Sequence, residues 1–289
     1  MNFDTLQKYL ACPVCQHQTL IFQKTAFFCP HCRQHYPIIN NIPILTPPQI
    51  DKQEKDQIQI FNHYYQHPPK PALWQQSMLK RIFHQPFLKQ ARTYLDIGCG
   101  PSAYTINYAQ KKHLTCFGID ISLTAILHAQ KTNKPSSNAA FLVASAQFLP
   151  FKKNCFDYIS CISILEHLKN HQKTIKLISQ ILKPSGRLFL VIPNQYHHLP
   201  FFLRPIKIYF DQKIGHLRTY SVTSIKKLCQ KYKLVLEDYS YNGHLLKFFQ
   251  IICQKAKVIP KNLWWLIEKH DITKNPHAAQ INLIFQKRC

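Results

Sequence analysis

The sequence predicts an α/β fold: a doubly wound parallel sheet, preceded by a small N-terminal domain that a metal ion stabilises. Two observations support this prediction. Apolar runs of strand length alternate with helical stretches from Thr93 onward, which is the pattern of repeated β-α units. Before residue 33, four cysteines stand in two CxxC pairs, within a segment too short to bury a core of its own. With 289 residues, 46% of them hydrophobic, the chain has material for one large and one small domain.

The N-terminal region carries its cysteines in the words CPVC and CPHC. They are Cys12, Cys15, Cys29 and Cys32. Two pairs at this separation can close a tetrahedral site, so we expect structural Zn²⁺ held by four thiolates, with no open position for catalysis. The following YPIINNIPIL predicts two short strands around Asn40 and Asn41, which tolerate the positive φ of a tight turn.

Proline and charge increase abruptly from Thr46, in TPPQIDKQEKDQ, which indicates a linker. We therefore divide the chain into a zinc-ribbon-like domain over residues 1–46, a linker over 47–69 and the large domain over 70–289. Apolar residues at helical spacing between positions 57 and 92 predict one or two helices that lead into the large domain.

Five apolar runs predict the strands of the large domain: TYLDIG, LTCFGID, AAFLVAS, FDYISCISIL and GRLFLVIPN. Helical stretches separate them, and the last of these, HQKTIKLISQILK, should end at a turn over Pro184 to Gly186. Residues 246–270 predict further helices. In such sheets the ligand binds beyond the carboxyl ends of the strands, where the strand order reverses.

The turn after the first strand, LDIGCGPSAY, holds two of the six glycines in the chain, where average composition would supply about 20 in all. Gly98 and Gly100 remove Cβ atoms that would keep a ligand away from the backbone. Asp120 follows twenty residues after Gly100, at the end of the second strand, where it can accept hydrogen bonds from ribose hydroxyls. On spacing alone, a nicotinamide dinucleotide would fit.

Asp96 favours a different cofactor. It stands two residues before Gly98, and no basic residue lies between it and Thr105. A pyrophosphate beside this carboxylate would be repelled by on the order of 1 kcal/mol or more for each charge pair. S-adenosylmethionine instead presents an ammonium and a sulfonium, both positive. The turn therefore predicts the methyl donor rather than the dinucleotide.

Over about residues 90–195 the chain resembles the class I S-adenosylmethionine-dependent methyltransferases. The matching words are, in order, LDIGCGPS, FGIDIS, SAQFLPF, FDYISCISILEHL and LKPSGRLFLVIPN. The resemblance implies a Rossmann-like methyltransferase sheet, completed by an antiparallel last strand at INLIFQKR. It also implies that the first turn holds the methionine part of the cofactor, that Asp120 binds the ribose, and that the residues after the third strand meet the adenine. The implied cofactor-binding residues are Asp96, Gly98, Gly100, Asp120, Ile121, Ser145, Ala146 and Gln147.

Two positions depart from the family pattern. Ser102 stands where a third glycine is common, and Ser145 replaces an acidic residue that is often found at the end of the third strand. A serine hydroxyl can still donate to and accept from an amino group, so we expect weaker adenine contact rather than its loss. These departures leave open a non-catalytic, zinc-containing binding protein.

Glu166 and His167 follow the fourth strand and are the titratable groups best placed to act on the acceptor. If the acceptor carries a proton, one of them can serve as general base; otherwise they bond the cofactor or cap a helix. The segment GHLRTYS, residues 215–221, resembles one that borders the acceptor pocket in related enzymes. Residues 194–214 mix aromatic, basic and proline residues, which suits a lid or a surface that rests on a membrane.

The chain is strongly basic, with 37 Lys and Arg against 13 Asp and Glu. A net charge of +24 suits RNA or an anionic membrane surface as partner. Lysine outnumbers arginine roughly four to one, however, as an AT-rich genome alone would produce. The N-terminus has no signal-peptide run, and no segment reaches the ~18 apolar residues of a membrane span. We therefore expect a cytoplasmic protein with reduced thiols.

These observations predict a methyltransferase that acts on a small-molecule or lipid-linked acceptor, with a zinc domain attached. An RNA methyltransferase, for rRNA or tRNA, is the alternative within the same fold, because the charge suits it. The cofactor motifs leave the acceptor undetermined, since they describe only the donor side of the pocket.

Overall fold

The computed structural model of the chain describes residues 1–68, 78–79, 81–83, 85–133, 138–243 and 272–288. The helices expected over residues 246–270 lie outside this set. Among the described residues, no helix is both long enough and apolar enough to cross a membrane.

The N-terminal region forms a small antiparallel sheet. A single helical turn, α1, comes first at Phe3–Leu6. Four strands follow in sheet order: β1 (Ile21–Gln23), β2 (Ala26–Phe28), β3 (His35–Ile39) and β4 (Ile42–Pro43). The turn between β3 and β4 is at Asn40 and Asn41, whose φ angles are +51° and +63°. This is the predicted hairpin, and asparagine suits it because its short polar side chain tolerates left-handed backbone.

The large sheet has seven strands. They are β5 (Thr93–Ile97), β6 (Thr115–Asp120), β7 (Ala139–Val143), β8 (Phe156–Ile162), β9 (Leu182–Pro193), β10 (Leu234–Asn242) and β11 (Gln280–Lys287). Their spatial order is β10-β11-β9-β8-β5-β6-β7. The five predicted strands, β5 to β9, pair in parallel, and β11 runs antiparallel to β9 and β10. The predicted doubly wound α/β fold is confirmed, and β10 is an addition to it.

Six further helices are described. They are α2 (Lys52–Tyr64), α3 (Tyr104–Gln110), α4 (Leu123–Thr132), α5 (His171–Ile181), α6 (Arg204–Lys213) and α7 (Val222–Gln230). Short 3₁₀ turns occur at Pro86–Lys89, Leu165–His167, Tyr196–His198 and Phe201–Leu203. The turn expected over Pro184 to Gly186 lies inside β9, where Ser185 has a φ of +63°. The helix before it therefore ends three residues earlier than this turn, at Ile181.

The central strands send their side chains alternately into two apolar layers. Leu95 of β5 packs in one layer with Ile178 of α5. Its neighbour Tyr94 packs in the other layer with Ile106 of α3. Because these strands are buried on both faces, their sequences are nearly continuous apolar runs, which is why they could be predicted.

The N-terminal region packs against the edge of the large sheet beside β7. Ile44 and Val143 form a parallel bridge, and the amide of Leu45 donates to the carbonyl of Val143 at 2.7 Å. On the same side, the ring of Tyr9 packs on Phe117 of β6 with 4.7 Å between centroids. One continuous core therefore includes residues of both predicted domains, and the edge of β7 is covered.

The segment predicted as a linker, residues 47–69, contains the thirteen-residue helix α2. Asp51 caps its first turn by accepting a hydrogen bond from the Glu54 amide at 2.9 Å. The helix packs against α4 and reaches the carboxyl ends of the large sheet's strands. Most of this segment is thus helical, because a polar and charged composition is also that of a half-exposed helix.

Candidate active site

A cleft opens beyond the carboxyl ends of the central parallel strands. The order of the sheet reverses at β5, which pairs with β6 on one side and β8 on the other, so the cleft lies where doubly wound sheets bind ligands. Of the predicted site residues, six line it: Gly98, Asp120, Ile121, Ser145, Ala146 and His167. Asp96, Gly100, Gln147 and Glu166 lie behind its wall. The helix α2 adds three residues that the sequence analysis did not assign to the site: Gln57, Phe61 and Tyr65.

The glycine turn follows β5 and is tied to β6. Gly98 and Gly100 have φ angles of +75° and +62°, which only glycine adopts without strain. The amides of Gly98 and Cys99 both donate to the Ile119 carbonyl, at 2.8 and 3.0 Å. The amide of Gly100 donates to Asp120 Oδ2 at 3.1 Å. All three amides of the turn are therefore already paired.

Asp120 ends β6 and faces the cleft. Its Oδ1 accepts from the Ser122 amide at 2.9 Å, and its other oxygen takes the Gly100 amide. Burial raises the pKa of Asp120 to about 6, against the opposing effect of these backbone hydrogen bonds. A buried carboxylate at this position can still accept from a ligand hydroxyl, because each oxygen has a second lone pair.

Asp96 lies behind the glycine turn and does not reach the cleft. Its Oδ1 accepts from the Ser160 hydroxyl at 2.5 Å, and its Oδ2 accepts from Thr105. Burial raises the pKa of Asp96 to about 6. We expected direct contact with the methionine part of a cofactor. In the structure Asp96 does not line the cleft, and both of its oxygens accept from hydroxyl groups, so its effect on the cleft is electrostatic.

Ser145, one of the two residues that depart from the family pattern, lies next to a carboxylate. Its hydroxyl donates to Glu54 Oε1 and accepts from the Gln147 amide at 3.1 Å. Glu54 belongs to α2, is 2% exposed, and has its pKa raised mainly by burial. The sequence analysis missed it. The signal was present as a capping pattern, since Asp51 stands three residues before Glu54 and predicts a helix start.

The helix α2 is held across the cleft by side-chain amides. Gln53 and Gln57 both donate through Nε2 to the carbonyl of His167, at 3.0 and 2.6 Å. Near its end, Asn62 Oδ1 accepts from the Ser122 hydroxyl at 2.7 Å. The ring of Phe61 meets the His167 ring edge-on at 5.6 Å. The strand ends and α2 together enclose the cleft.

The 3₁₀ turn after β8 carries Glu166 and His167. Both are buried, and only His167 lines the cleft. Burial raises the pKa of Glu166 to about 8, whereas burial and the nearby His216 ring lower the pKa of His167 to about 4. The segment GHLRTYS packs on this turn, because the Tyr220 hydroxyl donates to the Leu165 carbonyl at 3.2 Å. Around neutral pH this part of the site therefore holds a neutral imidazole and a carboxyl group that titrates near pH 8.

The four N-terminal cysteines converge. Their sulfur atoms all lie within 4.8 Å of one another, and the Cys12–Cys32 and Cys15–Cys29 pairs are 3.6 Å apart. Zinc–sulfur bonds of about 2.3 Å in a tetrahedron place sulfur atoms ~3.8 Å apart. The sulfur positions fit such a centre, and the donor set is the one that structural Zn²⁺ prefers.

The chain was compared with known protein families. A model of the methyltransferase domain family matches residues 61–238. The chain belongs to this family. The match begins within α2 and ends in β10. It includes every residue that lines the cleft except Gln57, and it supports an S-adenosylmethionine-dependent enzyme, as the sequence predicts.

Curated relatives of this methyltransferase are distant. It is 27% identical to the demethylmenaquinone methyltransferase of Staphylococcus saprophyticus over 133 residues, which are 45% of this chain and 57% of that enzyme. It is also 27% identical to the ubiquinone biosynthesis O-methyltransferase of Coxiella burnetii over 171 residues, 51% of this chain and 72% of that enzyme. The matched regions span 40% to 61% of the length of the first curated relatives.

Solved structures share the fold of this methyltransferase. Phosphoethanolamine N-methyltransferase 2 of Haemonchus contortus, solved with S-adenosyl-L-methionine, superposes with a TM-score of 0.59 at 17% identity. The superposition covers 86% of this chain and 62% of that chain. At this identity the likeness concerns the fold alone.

Gly98→Ala and Gly100→Ala form a matched pair that tests the turn. Both glycines have left-handed backbone, where an L side chain costs about 1–2 kcal/mol. Only at Gly98 would the new Cβ overlap another atom, Ile164 Cδ1 at 2.1 Å. We expect Gly98→Ala to lower the free energy of unfolding by about 1 kcal/mol or more beyond Gly100→Ala, as measured by urea denaturation. Equal losses would contradict the contact between the turn and Ile164.

Proposed function

We propose that this methyltransferase transfers the methyl group of S-adenosylmethionine to a small-molecule or lipid-linked acceptor in the cleft. The proposal rests mainly on the hydrogen bonding of the glycine turn and on the charges near it. Its three amides are paired within the protein, and buried carboxylates stand behind and beside it. A phosphate needs free amides, whereas a sulfonium and an ammonium are attracted by the carboxylates.

The binding roles follow from the position of each residue on the cleft. Gly98 leaves room for the methionine part, and Asp120 accepts from the ribose hydroxyls. Ser145 and Ala146 border the adenine, with Glu54 behind Ser145 in place of the acidic residue common in the family. Asp96 supports the cationic end through its charge and not through contact.

The rate of methyl transfer depends mainly on how the donor and the acceptor are positioned relative to each other. The bound cofactor supplies an electrophilic methyl carbon. A lone pair of the acceptor atom forms the new bond to this carbon while the carbon–sulfur bond breaks and its electrons stay on sulfur. The helix α2 and the strand ends exclude water from this line. If the acceptor is an O–H or N–H group, its proton must leave, and His167 Nε2 is the ring nitrogen available to accept it because Nδ1 faces the Gly215 carbonyl at 3.3 Å.

The acceptor class is supported by an exposed apolar surface whose C-terminal end contacts the cleft residue His167 through the Gly215 carbonyl. We call residues 201–217 the aromatic face. Its large side chains are unusually exposed, with Phe201 78% and Tyr209 62% accessible. The other exposed members are Phe202, Ile206, Phe210, Ile214 and Leu217. Such a surface suits a lipid or membrane interface. Two relatives are named a demethylmenaquinone methyltransferase and a ubiquinone biosynthesis O-methyltransferase.

An RNA acceptor is the second candidate because the net charge is +24. Phosphate contacts from lysine and arginine would make such binding fall steeply with salt. The apolar character of the aromatic face favours the lipid-linked acceptor over RNA. Both acceptors are compatible with methyl transfer, which is the activity of the family.

One transfer experiment separates these acceptors. We expect the chain, incubated with S-adenosylmethionine labelled in the methyl group, to label the organic-solvent extract of a membrane fraction and not purified total RNA. The label should fall at least ~10-fold in Phe201→Ser/Tyr209→Ser, while cofactor affinity stays unchanged because both positions lie outside the cleft. Label in RNA alone would overturn the lipid-linked acceptor and support the second candidate.

Cofactor affinity should depend on pH through Asp120. Its pKa of about 6 in the free protein lies above the usual value for aspartate, and hydrogen bonds from ribose hydroxyls favour the ionised carboxylate. Lowering the pH from 7 to 5 protonates Asp120, so calorimetry should show affinity for S-adenosylmethionine falling by about 10-fold or less. Asp120→Asn should bind more weakly at pH 7 and lose part of this dependence. Equal affinity of the native chain at both pH values would contradict the assigned role.

We further propose that the four cysteines hold one structural Zn²⁺. A mercurial reagent that titrates thiolates should release one equivalent of zinc from the purified chain, because all four bonds are to sulfur. Cys29→Ser should retain less than half of this zinc and unfold more readily. The matched control is Cys155→Ser, which removes a thiol outside the cluster and should keep the full equivalent. Zinc loss in both variants, or in neither, would count against the site.

A further inference from the structure

A second group of metal-ligating side chains lies on the acceptor side of the cleft. Glu166 and His167, from the turn after β8, meet His216 from the segment after α6. One ligand atom from each lies within 4.8 Å of the others. We call these three residues the Glu166 cluster. Its first residue lies 134 positions after Cys32, the nearest cysteine of the N-terminal centre, and the two groups share no residue.

The contacts of the two imidazoles determine which nitrogen is free in each. His167 Nδ1 faces the Gly215 carbonyl at 3.3 Å, and a carbonyl can only accept, so this nitrogen carries the proton. His216 Nδ1 faces Asp211 Oδ1 at 3.3 Å. Asp211 also accepts from Lys207 Nζ through Oδ1 and from the Tyr196 hydroxyl through Oδ2 at 3.0 Å, so it acts as an acceptor. In the tautomers that these contacts favour, with the proton on Nδ1, both Nε2 atoms keep their lone pairs.

The carboxyl group of Glu166 faces the ring of His216. Glu166 Oε1 lies 3.8 Å from His216 Nε2, too far for a hydrogen bond. Its Oε2 is buried and has no hydrogen-bond partner among the residues that the structure describes, and the residue is 1% exposed. A buried carboxyl oxygen without a partner is costly. A cation between the carboxyl group and the His216 ring would satisfy both.

We propose that the Glu166 cluster binds a divalent transition-metal ion such as Zn²⁺. Two imidazoles and one carboxylate are the protein ligands of catalytic zinc centres, which keep one further position open. In a tetrahedron with bonds of about 2.1 Å the donor atoms lie ~3.4 Å apart, so the 3.8 Å between Glu166 and His216 needs little adjustment. Asp211 would act through His216, as carboxylates behind metal-bound histidines commonly do.

The open position faces the cleft, because His167 lines it. The ligand class that fits is an oxygen group of the methyl acceptor, a phenol, enol or alcohol. Bound there, it would lose its proton more easily, and His167 would serve as a ligand and not as a base. This use of the ion rests on the proposed function, whereas the metal site itself does not.

Cobalt(II) is the probe, because its visible spectrum reports its ligands. The chain carrying zinc in the cysteine centre should bind one equivalent of Co²⁺ with a spectrum of nitrogen and oxygen ligation. Glu166→Gln, which keeps the shape of the side chain, and His216→Ala should each weaken this binding at least ~10-fold, and Asp211→Asn by ~10–100-fold. The matched control His113→Asn removes an exposed histidine and should leave it unchanged. Binding of S-adenosylhomocysteine in each variant verifies that the cleft is folded.

Three results would overturn the site. The first is that no Co²⁺ binds beyond the cysteine centre. The second is a thiolate charge-transfer spectrum, which would show that Co²⁺ has replaced zinc at the cysteines. The third is binding that survives in Glu166→Gln and His216→Ala but is lost in His197→Ala, a variant of the surface histidine pair. If the metal site fails in any of these ways while S-adenosylhomocysteine still binds, the proposed methyl transfer stands without it.

Discussion

Buried negative charge at the carboxyl ends of the central strands is the constraint on which the site depends. Asp96 after β5 and Asp120 after β6 are each held by hydrogen bonds, and burial raises both pKa values to about 6. In the same turn the amides of Gly98, Cys99 and Gly100 are paired within the protein and are not free to bind a phosphate. A cationic cofactor relieves the cost of burying these groups, and an anionic one increases it. The selection of a sulfonium donor thus follows from electrostatics and not from the glycines, which only permit close approach.

The helix α2 turns the strand ends into an enclosed cleft. It contributes Glu54 to Ser145 and two glutamine amides to the His167 carbonyl. The departure at Ser145 is therefore accompanied by a carboxylate that comes from a different part of the chain. Because α2 follows directly on the N-terminal region, which itself pairs with β7 through Ile44, the small sheet and the cleft are connected by a short stretch of chain.

The sequence predicted what depends on local pattern and missed what depends on long-range contact. The strands β5 to β9 could be predicted because burial on both faces leaves apolar runs, and the hairpin at Asn40 could be predicted because few residues accept its φ. Ser145 and Glu54 are separated by 91 positions, so no spacing rule joins them. His216 is likewise remote from Glu166, and only the packing of the segment after α6 brings them together. The position of Asp96 beside the turn follows from the sequence, but its hydroxyl partners Thr105 and Ser160 could not be foreseen.

Calorimetry on the intact chain with S-adenosylmethionine and with NAD, at pH 7 and moderate salt, tests the central claim most directly. The two ligands share an adenosine and differ in the charge that they bring to the glycine turn. The account predicts one site for S-adenosylmethionine and no measurable heat for NAD. Binding of NAD with no binding of S-adenosylmethionine would contradict it, because the paired amides and buried carboxylates would then be accommodating the anion that they should exclude.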